Sequence, residues 1–135
     1  MKSTRFGILR GLLLALVALA AVPAQAATGC AWPDWLAFKQ AMLSKDGRVV
    51  DANTPRLHTV SEGQAYALFF ALAAGDKPAF ARILEWTENN LAQGDLTAHL
   101  PAWQWGRLDN GQWGVIDSNA ASDADLWIAY ALGEA

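Results

Sequence analysis

Glu62 is the first residue of this chain whose position suits chemistry on a ligand. It follows Ser61 and precedes Gly63 at the start of a predicted helix. Unpaired N–H groups in a first helical turn favour an anion, so helix stability alone also explains a carboxylate there. Gly63 leaves one side of that carboxylate open, and Tyr66 lies one turn further along the same helix face. A ligand that contacts Tyr66 would therefore have access to Glu62.

A second acidic segment lies directly before an apolar run and contains Asp117, Asp123 and Asp125 among small residues. Capping of the following helix needs one side chain, either Ser122 or Asp123. Three acids exceed that need, so we interpret the segment as a ligand site. An Asp-x-Asp pair also binds the metal of nucleotide-sugar transferases, but the sequence shows no nucleotide-binding α/β pattern around it.

Residues 1–26 have the three parts of a bacterial export signal. The basic residues of the first part are Lys2, Arg5 and Arg10. An apolar run follows over residues 11–22, and Ala24-Gln25-Ala26 supplies small residues for cleavage. The run is shorter than the ~20 residues that span a bilayer, so we expect no membrane span after cleavage. The mature part, residues 27–135, is then periplasmic or secreted.

The mature part excludes several classes of partner and cofactor. Without the leader, seven basic residues face thirteen acidic ones, a formal charge of −6 that disfavours nucleic acid. His58 and His99 lack partners at metal-ligand spacing, so neither zinc nor another cofactor is expected. The single cysteine, Cys30, cannot form a disulfide within the chain, and its lipidation is the less favoured alternative. Seven tryptophans, all after the leader, favour an uncharged, flat-faced ligand such as a sugar.

Helical periodicity predicts four helices, so the chain is expected to be mainly α. They extend over residues 32–43, from 61 to about 74, from 76 to 94, and from about 121 onwards. Ser61 and Gln64 have the spacing of a capping box at the start of the second helix. The second and third helices are joined so tightly that they should be antiparallel.

Residues 100–116 have a different pattern, with three tryptophans around Asp109-Asn110-Gly111. Asn-Gly is typical of a type I′ turn, so this segment is predicted to be a hairpin. The last helix is still apolar where the chain stops at Ala135, and its exposed face would need covering. We therefore expect the chain to be an amino-terminal fragment.

Three segments together resemble family 8 glycoside hydrolases, in particular those of bacterial cellulose-synthesis systems. They are Ser61-Glu62-Gly63-Gln64-Ala65-Tyr66-Ala67-Leu68, Leu100-Pro101-Ala102-Trp103-Gln104-Trp105, and the run from Ser118 to Ala129 that contains Ala121-Ser122-Asp123-Ala124-Asp125. The resemblance implies an (α/α)6 barrel, of which this chain forms the first helices, and an enzyme that cuts β-1,4-glucan with inversion. It also implies an association with the cellulose-synthase machinery.

The resemblance assigns roles residue by residue. Glu62 matches the proton donor, and Asp123 matches the signature aspartate, which acts as a nucleophile or positions the sugar. An inverting reaction forms no covalent sugar intermediate, so positioning is the preferred role. Trp103 matches a sugar-stacking residue, and Trp105, Tyr66 and Asp125 are further expected substrate-binding residues. The catalytic base of the family falls after Ala135, so the chain alone is expected to be inactive.

Two other functions remain open from the sequence. The tryptophans could bind glucan in a non-catalytic binding or assembly protein of the cell envelope, with the carboxylates only hydrogen-bonding to sugar. The chain could also be an exported helical domain without sugar chemistry. A test for glucan hydrolysis distinguishes the non-catalytic binding protein from an endoglucanase. A test for glucan binding distinguishes the exported helical domain from both.

Overall fold

The structure is a computed structural model that describes residues 32–135. The helices in this range are α1 Pro33–Met42, α2 Ser61–Ala73, α3 Lys77–Leu91 and α4 Ser122–Glu134, and the strands are β1 Thr59–Val60, β2 Ala102–Arg107 and β3 Trp113–Ala120. All four predicted helices are confirmed. None of the helices described here has both the length and the apolar character to cross a bilayer. The predicted leader and Cys30 lie outside the described residues.

Helix α2 lies in the core between α3 and α4. The core side chains of these three helices with no exposed surface are Ala65, Ala67, Leu68, Ala71, Ala79, Ile83, Ala124 and Ala131. Most of them are alanines, which let the helix backbones approach closely. The first turn of α2 contacts the second half of α3. Three residues join the end of α2 to the start of α3. The two helices are therefore antiparallel, as predicted.

Gln64 connects α2 to the loop before it and to α3, and its side chain is fully buried. Its Oε1 accepts a hydrogen bond from the Val49 backbone N–H at 2.6 Å. Its Nε2 donates to Thr87 Oγ1 at 2.9 Å and to the Gly47 carbonyl at 3.2 Å. A Cβ on Gly47 would collide with the Arg82 carbonyl, so only glycine lets the loop backbone lie this close to the backbone of α3. One side chain thus satisfies polar groups from two neighbouring segments.

The predicted capping box is therefore wrong. The residue that caps α2 is Val60, in an extended conformation, and no side chain caps the helix. Ser61 is already helical and buried, and the Gln64 side chain points into the core instead of back along the helix. Buried backbone groups of the preceding loop compete for the Gln64 amide, and tertiary hydrogen bonding outweighs local capping.

The three strands form one sheet in the order β1-β2-β3. Val60 pairs with Gln104 in the first ladder, and Ala102 pairs with Ala120 in the second. Both ladders are antiparallel, so β1 and β3 run in the same direction on the two sides of β2. Strand β1 was not predicted, and β3 continues beyond the predicted hairpin to Ala120.

The hairpin between β2 and β3 is confirmed, but its turn is not type I′. The Gly111 N–H donates to the Leu108 carbonyl at 2.9 Å, and the Leu108 N–H donates to the Gln112 carbonyl at 2.8 Å. Gly111 has φ 80°, whereas Asn110 has no positive φ. A type I′ turn needs positive φ at both central residues. The loop is instead a type I turn followed by a glycine bulge, in which Asn110 keeps a relaxed backbone.

Replacement of Gln64 by leucine should lower the free energy of unfolding by about 2–4 kcal/mol, because buried backbone groups at Val49 and Gly47 lose their partner. Urea denaturation of the two proteins measures the difference. Gln40→Leu is the matched control, since Gln40 is exposed on α1. Equal stability of Gln64→Leu and Gln40→Leu would contradict this role for the buried amide.

Candidate active site

The sheet determines where Glu62 and Asp123 lie. Val60 and Ala121 are the capping residues of α2 and α4, so β1 and β3 pass directly into these helices. Because β1 and β3 run in the same direction, both helices begin at the same edge of the sheet, the one at which β1 and β3 end and β2 begins. Glu62 and Asp123 are both in the first turn of their helices. The structure therefore brings the two predicted carboxylates to one side of the molecule.

Aromatic contacts show that α2 and α4 are parallel. The rings of Tyr66 and Trp127 are 6.1 Å apart, edge to face. Three residues further along both helices, the rings of Phe69 and Tyr130 are 6.2 Å apart. Contacts that advance by the same step in the same direction along both helices require a parallel, in-register pair.

This register fixes the relation between the acids and the aromatic pair. Tyr66 is four residues after Glu62, and Trp127 is four residues after Asp123, so each acid lies one turn before a ring. The two rings are in contact, and both acids are in the first turns of their helices, before the rings along the chain. Ser122 and Asp123, the two capping candidates in α4, make no capping hydrogen bond. Asp123 is also exposed, so its carboxylate is available to a ligand.

A groove of about 440 Å³ runs beside Asp123. Its lining residues are Phe69, Asp123, Leu126, Trp127 and Tyr130. The lining is aromatic and apolar apart from one carboxylate, a composition typical of sites for a ligand with flat apolar faces and polar edges. Glu62 does not line this groove. It is half-buried on α2, with the Ser61 hydroxyl 3.3 Å from its Oε2.

Trp103 joins the same edge from the central strand. It is the second residue of β2, next to Ala102, which pairs with the last residue of β3, Ala120. The nearby Trp103 indole and a hydrogen bond from the Asn119 backbone N–H, 2.9 Å from Asp117 Oδ1, lower the pKa of Asp117. Asp117 therefore stays ionised at neutral pH and faces the indole of Trp103.

Trp105 lies further along β2, in a cluster with Arg48, Trp86 and Trp113 that we call the tryptophan–arginine cluster. The Trp105 ring is 5.2 Å from Trp86, nearly perpendicular, and 5.4 Å from Trp113, nearly parallel. The Arg48 guanidinium lies 4.3 Å from the Trp105 ring centre. Trp105 thus packs in this cluster, opposite Thr59 of β1, and its role in substrate binding stays a prediction.

Sequence reasoning missed Arg48. It is 9% exposed, and its Nε donates to Thr59 Oγ1 at 2.7 Å. A second nitrogen donates to the Leu57 carbonyl, and Leu57 has φ 48°. These contacts hold the residues before β1 against the cluster. A basic residue before two valines gave no sequence signal for such a role.

Asp125 faces a different groove from Asp123. Its groove has a volume of about 150 Å³ and is also lined by His99 and Leu100. Burial and, to a smaller extent, the negative charge of Asp123 raise the pKa of Asp125. Its Oδ1 is buried without a hydrogen-bond partner among the described residues. The predicted contact between Asp125 and substrate stays a prediction.

The two histidines lie apart in the structure. His58 Nδ1 is 3.1 Å from Gln104 Nε2, and His99 is exposed. Between residues 32 and 135, no group of three or more His, Cys, Asp or Glu side chains is arranged to hold a metal ion.

Comparisons with known proteins agree in one family. The family model described as "Glycosyl hydrolases family 8" matches residues 6–135. The endoglucanase of Salmonella typhi is 56% identical over 128 residues, which are 95% of this chain and 34% of the relative. The endoglucanase of Xanthomonas axonopodis pv. citri is 50% identical over 129 residues, 96% of this chain and 33% of the relative. The chain thus spans about a third of the length of these curated relatives.

Solved structures show the same relationship. The crystal structure of endo-1,4-D-glucanase from Vibrio fischeri ES114 is 59% identical, with a TM-score of 0.73, and the match covers 76% of this chain and 29% of that one. The endo-beta-1,4-glucanase CMCax from Acetobacter xylinum is 35% identical, with a TM-score of 0.64, covering 76% and 30%. These neighbours are (α/α)6 barrels, so the prediction of a mainly α chain that forms part of such a barrel is confirmed.

Replacement of Asp125 by asparagine should raise the thermal midpoint at pH 7. The folded state raises the pKa of Asp125 above 3.8, so the unfolded chain ionises first as the pH rises, and folding is penalised at neutral pH. Below pH 3.8 both states are protonated and the gain should vanish. Thermal unfolding at pH 7 and pH 3 measures it, with exposed Asp34→Asn as control. A gain of equal size at both pH values would contradict the account.

Proposed function

Because the chain belongs to family 8 of the glycosyl hydrolases, we propose that the whole protein hydrolyses internal β-1,4 bonds of cellulose or a related β-glucan with inversion. One observation carries this proposal: α2 and α4 begin at the same sheet edge, with Glu62 and Asp123 in their first turns. Hydrolysis of a glycosidic bond needs two carboxylates that approach one linkage. The relatives named as endoglucanases support the same class of substrate.

In this proposal Glu62 donates the proton to the oxygen of the leaving sugar. Asp123 holds the sugar at the cleavage point, since an inverting reaction forms no covalent intermediate. Water attacks from the opposite face and loses its proton to a base roughly 6.5–9.5 Å from the acid. The family resemblance assigns that base to a position after Ala135. The 135-residue chain alone is therefore proposed to bind glucan without hydrolysing it.

Aromatic residues around the two acids are proposed to hold the glucan. Trp103 lies at the same sheet edge and offers an indole face for stacking. Tyr66 and Trp127 touch each other one turn below the acids, and both side chains are more than a third exposed. A pyranose has an apolar face of C–H groups and a rim of hydroxyls, so rings beside carboxylates complement it.

Export and a cellulose-synthesis role are proposed from the sequence. The basic, apolar and small-residue parts of residues 1–26 support cleavage after Ala26 and a periplasmic or secreted product. An enzyme that cuts β-1,4-glucan there would meet nascent cellulose. An association with the cellulose-synthase machinery fits that place, and it rests on the family resemblance alone.

Glu62→Gln in a protein of the length of its relatives should cut turnover of cello-oligosaccharides by at least ~10²-fold, the usual cost of losing a general acid. The amide preserves the shape of the side chain, so the dissociation constant should change little. Steady-state kinetics and calorimetry measure the two quantities. Glu85→Gln, at an exposed position on α3, is the control. Turnover within a few-fold of wild type would remove Glu62 from the role, and binding without hydrolysis in the wild type would favour the non-catalytic alternative.

Asp123→Asn should lower turnover by a similar factor and, unlike Glu62→Gln, also weaken oligosaccharide binding, because Asp123 is proposed to hold the sugar. The same kinetic and calorimetric measurements apply. Ser122→Ala is the matched control, because the neighbouring Ser122 is exposed and makes no capping hydrogen bond. Wild-type kinetics for Asp123→Asn would contradict the assignment. Equal losses in both variants would point to helix damage instead.

A further inference from the structure

A second aromatic surface lies at the far end of β3 from the candidate active site. Trp113 is the first residue of β3, and it is 47% exposed in the part of the chain that the structure describes. Strand β3 has eight residues, and each advances roughly 3.3 Å, so roughly 20 Å separates Trp113 from Ala120 beside α4. Trp113 and Asp123 therefore lie at opposite ends of β3.

The Trp113 ring is held in one orientation by the tryptophan–arginine cluster. It stacks on Trp105 with ring centres 5.4 Å apart and an angle of 12°. The Arg48 guanidinium lies 4.9 Å from its ring centre and is itself fixed by Thr59 Oγ1. A ring that is fixed before a ligand arrives loses little conformational freedom on binding. The outer part of Trp113 is thus a preorganised flat surface.

The exposure of Trp113 is costly for a strand at the edge of a sheet. Edge strands usually carry charges or proline, and exposed aromatic residues there promote association. The cluster already packs Trp105 against Trp86 and Arg48, without needing an exposed second ring. A rigid ring at the surface offers a ligand a flat face at little cost in conformational freedom.

Polar side chains surround the ring. Arg107 pairs with Trp113 across the two strands and is exposed, and Gln112 is exposed beside it. An apolar flat centre with hydrogen-bond donors and acceptors at its rim complements a pyranose, which has C–H groups on its faces and hydroxyls at its edge. A protein interface of stable size would need a far larger apolar patch than one ring.

We propose that Trp113 is the platform of a second carbohydrate site, which holds a β-1,4-glucan chain away from the cleavage point. The ligand class rests on the proposed function, whereas the platform rests on the geometry of Trp113, Trp105 and Arg48. Such a site acts on long or insoluble glucan, whose chain can extend from Asp123 along the length of β3 to Trp113. It therefore affects retention on cellulose and leaves cleavage of short substrates unchanged.

Affinity electrophoresis of the 135-residue chain through gels that contain hydroxyethylcellulose tests the platform without requiring activity. Trp113→Ala should weaken binding about tenfold, the scale of one aromatic contact. Val115→Ala is the matched control, since Val115 is 39% exposed two residues further on the same strand face and should bind as the wild type does. Trp113→Phe keeps a smaller ring and should give an intermediate affinity. Equal thermal midpoints show that each variant is folded.

Three outcomes would overturn the platform: wild-type binding by Trp113→Ala, equal losses in Trp113→Ala and Val115→Ala, or no binding by the wild-type chain. Kinetics on a protein of the length of its relatives separate this proposal from the proposed function. Trp113→Ala should slow hydrolysis of swollen cellulose and leave kcat/KM for cellotetraose unchanged. If Trp113 governs retention but no glucan is hydrolysed, the platform is supported and the proposed glucanase fails.

Discussion

Antiparallel pairing of β1 and β3 with opposite sides of β2 makes the chain enter α2 and α4 from one edge of the sheet. Helix direction, the contact between Tyr66 and Trp127, and the approach of Glu62 and Asp123 all follow from this pairing. Strand β1 has only two residues, so a slip of one residue would turn its side chains to the other face. The candidate site therefore depends on whatever keeps this short strand in register.

Two buried polar side chains hold the segment that leads into β1. Gln64 binds the Val49 backbone and Gly47, and Arg48 binds Thr59 and the Leu57 carbonyl. Each group is costly to bury, and each is compensated by hydrogen bonds or aromatic rings. Burial lowers the pKa of Arg48, against a smaller opposite effect of Asp46. The buried contacts of Gln64 and Arg48 thus support the end of the sheet at which Asp123 is exposed to solvent.

Local features of the sequence predicted the helices well, because apolar spacing and glycine stops act within one element. Gly75, with φ 65°, follows α2 as expected, and Asp76 caps α3 by accepting the Ala79 N–H. The errors arose where distant groups compete with local ones. Gln64 has the spacing of a capping residue, but the buried Val49 N–H takes its oxygen. Asn110 suggested a type I′ turn, but one further loop residue allows a relaxed backbone.

Residue types singled out Glu62 and the segment with Asp123, and the family resemblance gave the two residues their roles. No local pattern showed that they lie at one end of the sheet, because that depends on the register of three strands. The most direct test is a crystal structure of the Glu62→Gln variant, at the length of its relatives, with a bound cello-oligosaccharide. We expect the residue 62 amide within hydrogen-bond distance of one glycosidic oxygen, with the Asp123 carboxylate bonded to a sugar of that same linkage. Binding of the sugar elsewhere, or contact of the two residues with separate linkages, would contradict the account.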